Sequence, residues 1–174
     1  GTEMSRYRND TFRQFFGGGG LETELYNSNL VFFKYAAFGQ VSRAFMDEKL
    51  KLSFGLRTDA NPYSSVMANP LTQISPRLSA SYALNSLVNL NFNVGRYYQL
   101  PPYTSLGLKN NAGNYINKQN ELKYLAADHL VGGVEIIPDE RLQFTLEGFY
   151  KLYSDYPFSV ADQVPLSTKS AGYG

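Results

Sequence analysis

The densest chemistry in the chain is the run Arg96-Tyr97-Tyr98-Gln99-Leu100-Pro101-Pro102-Tyr103, which gathers one guanidinium and three phenols. Phenol rings stack on sugars and chelates, and a guanidinium grips a carboxylate or phosphate with two parallel hydrogen bonds. Arg96, Tyr97, Tyr98 and Tyr103 are therefore candidate ligand-binding residues. The same run also reads as a strand end, because Pro101-Pro102 cannot continue a ladder and Tyr97 and Tyr98 can anchor an interface. His129, the one histidine, stands beside Asp128 and near Glu135. An imidazole titrates near neutral pH, but without a second ligand nearby it reads as a hydrogen-bonding residue and not as a metal site or a base. Asp47-Glu48 and Asp139-Glu140 are carboxylate neighbours in turns, not held across a shared substrate as paired acids must be. Gly17 to Gly20 is followed by Leu21-Glu22-Thr23-Glu24, whereas a phosphate-cradling loop needs Gly-Lys-Ser/Thr opening a helix. No catalytic residue, metal ligand or cofactor-binding residue is assigned, and the chain does not read as an enzyme.

The composition sets the frame for these side chains. The 174 residues carry 16 Lys and Arg against 15 Asp and Glu, a net +1 that leaves no bulk charge to hold nucleic acid. Hydrophobic residues at 43% and aromatics at 15% supply enough apolar surface to exclude a disordered chain. The absence of cysteine removes disulfides and thiolate chemistry together. No apolar run approaches the roughly 18 residues of a membrane helix. Hydropathy is nearly blind to membrane β-barrels, however, since their strands alternate and average to neutral.

Periodicity decides the elements. In Lys49 to Asp59 the large apolar residues are Leu50, Leu52, Phe54 and Leu56, with Lys51, Ser53, Gly55 and Arg57 between them. A period of two places one set on each face of a strand. Val88, Leu90, Phe92 and Val94 alternate with Asn89, Asn91, Asn93 and Gly95, and Leu78, Ala80, Tyr82 and Leu84 alternate with Arg77, Ser79, Ser81 and Ala83. Leu142 to Tyr153 follows the same rule, with Phe149 as its exception. Further strands are expected around Leu130 to Ile136 and from Leu30 to Phe45, six in all. Tight turns at Asp47-Glu48, Asn85-Ser86 and Pro138-Asp139 alternate with long connections at Ala60 to Pro76, Gln99 to Asp128 and Ser154 onward. In an antiparallel meander that alternation gathers every tight turn at one end and every long loop at the other, the arrangement of outer-membrane barrels. Tyr97, Tyr98, Tyr103, Tyr124, Tyr150, Tyr153 and Tyr156 crowd the long-loop end, as an aromatic girdle would. The expected fold is thus all-β, an up-and-down antiparallel meander forming a segment of a large transmembrane β-barrel.

The wording of these strands carries a resemblance. Phe38-Gly39-Gln40-Val41, Leu50-Lys51-Leu52-Ser53-Phe54-Gly55-Leu56-Arg57-Thr58-Asp59, Ser75-Pro76-Arg77-Leu78-Ser79-Ala80-Ser81-Tyr82 and Gly95-Arg96-Tyr97-Tyr98-Gln99-Leu100-Pro101-Pro102 follow one another in order. With His129-Leu130-Val131-Gly132-Gly133-Val134-Glu135 and Phe144-Thr145-Leu146-Glu147-Gly148-Phe149-Tyr150, they resemble the barrel of a TonB-dependent outer-membrane receptor, the Bacteroidetes type most of all. Barrels of such transporters have about 22 strands, so the resemblance implies a C-terminal part of the barrel. Residues 1–29 are then expected as an extracellular loop or the end of a preceding strand. Residues 30–156 would hold six strands with periplasmic tight turns and extracellular long loops, and 157–174 would begin a further extracellular loop. The resemblance further implies a cell outer-membrane location and energised uptake of a siderophore, cobalamin, oligosaccharide or peptide. It implies as partners the plug domain and the rest of the barrel, a TonB complex engaged through N-terminal residues, outer-membrane lipid, and a surface lipoprotein. The polar row of Lys51, Arg57, Arg77, Asn89, Asn91, Asn93, Glu147 and Lys151 would face a plug or a wet lumen. Two rival readings stay open: a soluble β-barrel or β-sandwich that binds carbohydrate or another ligand, and a passive porin or adhesin barrel. In the soluble case the row Leu78, Tyr82, Leu90 and Phe92 converges on a dry interior.

Overall fold

In the computed structural model, which describes residues 1–17, 20–109, 112–139, 141–156, 158–159 and 164–165, seven strands lie side by side in chain order. They are β1 (Thr2–Gly17), β2 (Gly20–Phe45), β3 (Leu50–Ala60), β4 (Ser75–Ala83), β5 (Val88–Gln99), β6 (Leu125–Asp139) and β7 (Leu142–Ser154). Every neighbouring pair is antiparallel, which makes an up-and-down meander curved into a half-barrel wall. A separate two-residue ladder joins β8 (Phe158–Ser159) to β9 (Val164–Pro165). The remainder of the expected loop over 157–174 lies outside the described residues.

The tight turns form for local reasons. In the β4–β5 turn Asn85 Oδ1 accepts from the backbone N–H groups of Leu87 and Val88, at 2.8 and 2.9 Å, a side chain standing in for a turn's own carbonyl. Asp139 Oδ1 accepts from Arg141 N at 2.7 Å in the β6–β7 turn. The β2–β3 turn is tighter still, with Met46, Asp47 and Glu48 all at positive φ (56°, 53° and 67°).

Register puts the two expected rows on opposite faces. One face carries the cross-strand rows Phe45, Leu50, Tyr82, Leu90, Val134, Leu146 and Val41, Phe54, Leu78, Val94, Leu130, Tyr150. The other carries Ala44, Lys51, Ser81, Asn91, Gly133, Glu147 and Ser42, Ser53, Ser79, Asn93, Val131, Phe149. Phe149, the exception to the alternation of β7, is thereby a polar-face residue. The apolar row stands open: Leu78, Tyr82, Leu90 and Phe92 are 41, 36, 40 and 44% exposed. They point away from the concave side, so the soluble reading, which needs them to meet across a dry centre, is not what the chain builds. No helix among the described residues is long and apolar enough to cross a membrane.

One expectation about elements is corrected. The strands number seven, not six, because most of residues 1–29 forms β1 and the upper part of β2. Here the alternation is hidden: Thr2, Met4, Arg6 and Arg8 share one face of β1 and Glu3, Ser5, Tyr7 and Asn9 the other, so both faces mix polar with apolar. Pairing explains how this is tolerated. β1 runs beside β2 from Gly20 to Tyr35, whereas β3 pairs with β2 only from Tyr35 to Phe45. The β1–β2 hairpin therefore rises past the end of β3 by about 50 Å of strand, beyond the apolar band and its need for a greasy row.

The long connections carry short helices of their own. They contain α1 (Ser65–Ala68), a 3-10 turn (Pro70–Gln73), α2 (Tyr103–Leu106) and α3 (Ile116–Gln119). Together with the hairpin they make the buried cluster of Leu30, Phe32, Tyr63, Met67, Leu106 and Tyr124. Leu30 and Phe32 lie in line with Lys34 and Ala36, and Ala36 pairs with Asp59, so this cluster sits on the polar, concave face at the loop end.

Candidate functional site

The concave face has a floor and a roof. Its floor is a trough of about 670 Å³ at the tight-turn end, lined by Gln40, Ser42, Ser53, Ser79, Ser81, Asn91 and Asn93 among others. Hydroxyl and amide groups gather here, beside Lys51 and Glu147, because each strand offers its polar parity. Gln40 Nε2 donates to Ser53 Oγ at 2.8 Å, and Ser42 and Ser53 share a hydrogen bond of 2.7 Å. Gly133 leaves room for its neighbour, since a Cβ there would stand 2.8 Å from Glu147 Cγ and 2.9 Å from the Leu146 carbonyl oxygen.

Its roof is the loop cap, fastened by buried polar groups. Asn61, fully buried, donates from Nδ2 to Tyr124 Oη at 2.8 Å and accepts from Tyr63 N at 2.9 Å. Tyr63 Oη donates to the Leu106 carbonyl at 2.7 Å, and Ser64 Oγ to that of Leu122 at 3.0 Å. Glu121 Oε2 accepts from Ser65 Oγ and Ser65 N at 2.8 and 2.9 Å. The Ser65 hydroxyl and the Val66 N–H hold the Glu121 carboxyl below its ordinary range, while burial pushes the Tyr124 phenol up and keeps it neutral. Tyr115 Oη ties the cap to the tall hairpin by donating to the Asn29 carbonyl at 2.7 Å.

Between floor and roof runs one straight cross-strand row: Gln40, Gly55, Arg77, Gly95, His129 and Lys151. The Arg77 guanidinium lies 4.4 Å from the centroid of the Tyr97 ring, and that ring is 4.6 Å from the His129 imidazole. Gly95 permits this overlap, because a Cβ there would meet Arg77 Cγ at 3.1 Å and Tyr97 at 3.3 Å.

The four candidate ligand-binding residues do not form one surface. Tyr97 faces the concave side. Arg96 and Tyr98 have the opposite parity on β5, and Arg96 grips Asp128 across the strand pair with bonds of 2.7 and 2.6 Å. Tyr98 packs against the buried cluster at the strand end. Tyr103 belongs to α2 and is stacked on Tyr7 at 5.5 Å within the cap, its phenol accepting from Lys34 Nζ at 3.3 Å. Period-two pleating separates sequence neighbours, which is why the run Arg96 to Tyr98 cannot act as one patch. Two rings the reading did not single out do stand open on the concave face: Phe38, 80% exposed, and Phe149, 70% exposed. Their parity was available in the sequence, given the register of the tight turns.

A greasy convex face, a hydrophilic concave face and turns sorted by length describe the wall of a membrane barrel. The family described as TonB dependent receptor-like, beta-barrel matches residues 1–173. The chain belongs to that family. No curated protein matches it. The receptors of the family are outer-membrane transporters that work with a plug domain and TonB, and the convex rows of this chain are accordingly its lipid-facing surface.

Proposed function

We propose that this chain forms part of the wall of a receptor that takes up a scarce, polar ligand across the outer membrane with energy relayed through the TonB complex. The observation that carries the reading is the inverted arrangement of the sheet: large apolar residues exposed on the convex side, hydroxyl and amide side chains lining a trough on the concave side. Only a wall with lipid outside and water or a plug inside is satisfied by that pattern. The loop end is extracellular and the tight turns periplasmic, following the length rule for outer-membrane barrels. The ligand is a siderophore, cobalamin, an oligosaccharide or a peptide, and Tyr97 is the one residue of the original four that lies where such a ligand passes. The strand wording supports the Bacteroidetes type of receptor, with a surface lipoprotein as partner over the cap.

The test is uptake in cells expressing the full-length receptor, supplied with one representative of each ligand class as the limiting nutrient. Receptor-dependent growth on one class is expected, and it should vanish when TonB is deleted. Growth that depends on the receptor but persists without TonB would show a passive pore instead.

A further inference from the structure

We propose that Arg77, His129 and Lys151, with the Tyr97 ring laid over Gly95, form an anion-binding step on the concave wall, and that the transported ligand carries a carboxylate or phosphate group. The proposal rests on the uptake reading and names the chemistry of its ligand.

Four observations carry it. First, the three side chains share one register row, His129 and Lys151 on adjacent strands and Arg77 separated from His129 only by Gly95, which places the backbones of the two ends about 14 Å apart. Second, three carboxylates of the wall are engaged elsewhere, and Glu147 stands four residues along β7 from Lys151, in the trough. Asp59 holds Arg57 at 2.6 Å, Asp128 holds Arg96, and Glu135 accepts from Asn89 at 3.0 Å and from Gln143. Among the described residues, none comes within ion-pair distance of Arg77 or Lys151.

Third, Arg77 is preorganised. Its guanidinium stands over the Tyr97 ring at 4.4 Å, and its Nε is enclosed without a hydrogen-bond partner among the described residues. A guanidinium held by stacking keeps its donors free for a planar or tetrahedral oxyanion. Fourth, the row borders the trough on its loop side, since the next row toward the turns is Ser42, Ser53, Ser79, Asn93, Val131 and Phe149. A molecule entering from the loop end meets this row first and afterwards the trough, whose lining sets Lys51 and Glu147 among its hydroxyl and amide groups.

The same row could be filled by a carboxylate of the plug domain, and the experiment separates the two sources. The full-length receptor in detergent is titrated with pyrophosphate by calorimetry, beside Arg77→Gln, Lys151→Gln and, as a control in the loop cap, Lys123→Gln. Saturable binding by the parent is expected, about tenfold weaker or worse in each row variant and unchanged in the control. Arg77→Lys, which keeps the charge but loses the fork, should fall in between. No binding by the parent, the result if a plug carboxylate already occupies the row, would overturn the proposal, as would equal binding by the row variants. The titration needs neither TonB nor a membrane potential, so its failure would leave the uptake reading standing, and TonB-independent growth would leave the anion step standing.

Discussion

Phe92 and Asn91 are adjacent in sequence and face opposite worlds, so one substitution made twice reports on the whole architecture. Phe92 lies on the convex row Arg43, Leu52, Ala80, Phe92, Gly132, Gly148, and Asn91 on the concave row that ends at Glu147. The Arg96–Asp128 pair marks the upper limit of the greasy band, four residues above Phe92, or about 10 Å along the membrane normal for a strand tilted near 45°. In a band about 25 Å tall that places Phe92 near the midplane, where an arginine facing lipid costs about 2–4 kcal/mol, a factor of about 30 to 900 in the folding equilibrium. At Asn91 the new guanidinium meets water and Glu147, and the change stays within about 0.5 kcal/mol. The assay is urea unfolding of the full-length receptor in lipid vesicles, read by the mobility difference between folded and unfolded barrels. If Phe92→Arg were as stable as the parent, the reasoning would fail, because that is what a half-exposed ring in water would give. Equal losses at both positions would refute it as well, by showing that the two faces are not different solvents.

Three shorter predictions follow from the cap and the turns. Glu121 has a carboxyl held below its ordinary 4.5 by Ser65 and Val66, so its contribution is present above that value and is lost only as pH falls through the lower, folded value. Hydrogen exchange in 61–74 should therefore be flat from pH 8 to pH 6 after correction for intrinsic rates and rise only in acid; Glu121→Gln should remove that rise, and a rise near neutrality would contradict the assignment. Leu106 is 0% exposed, and Leu106→Ala should weaken the cap by about 2–5 kcal/mol, seen as faster exchange in 61–74 with β3 to β5 unchanged. Asp47→Gly relieves a left-handed residue at φ 53° in the β2–β3 turn and should stabilise the barrel by about 1 kcal/mol in the urea assay, whereas no gain would mean the turn carries no such strain.

The wall was legible because its physics is local. Leu50, Leu52, Phe54 and Leu56 alternate with polar residues, and alternation is all that a strand between lipid and water requires. β1 escaped because a hairpin standing above the band has no lipid to face, and the signal that marks the other strands is absent where its cause is absent. The cap escaped for a different reason. Asn61 with Tyr124, Tyr63 with Leu106 and Tyr115 with Asn29 join residues far apart in the chain, and no period announces such contacts. Arg96, Tyr97, Tyr98 and Tyr103 are neighbours in sequence, and strand parity and the start of α2 distribute them over different surroundings. The row of Arg77, His129 and Lys151 is the converse: distant in sequence, aligned in register, and within reach of a reading that counts outward from the tight turns.

The placement of apolar side chains explains why floor and roof are built so differently. A water-soluble sheet of this length would spend Leu78, Leu90, Phe92 and Leu146 on a second layer, and here they are left to the membrane. The sheet thus gains almost no internal core of its own; among the described residues the buried hydrophobic cluster is the one in the cap. In lipid the wall is held by its ladders, since every backbone group left unpaired there is costly. The cap has no lipid and must hold itself, which it does by packing Met67 and Leu106 to full burial and bonding Asn61 and Tyr124 beneath them. It follows that wall and cap answer to different perturbations: a lipid-facing charge attacks the first, a cavity or a lost buried hydrogen bond the second. The Arg77–Tyr97 stack belongs to the wall, since both residues are held in its ladders, Arg77 opposite Gly95 and Tyr97 opposite Ala127, so a perturbation of the cap alone should leave it in place.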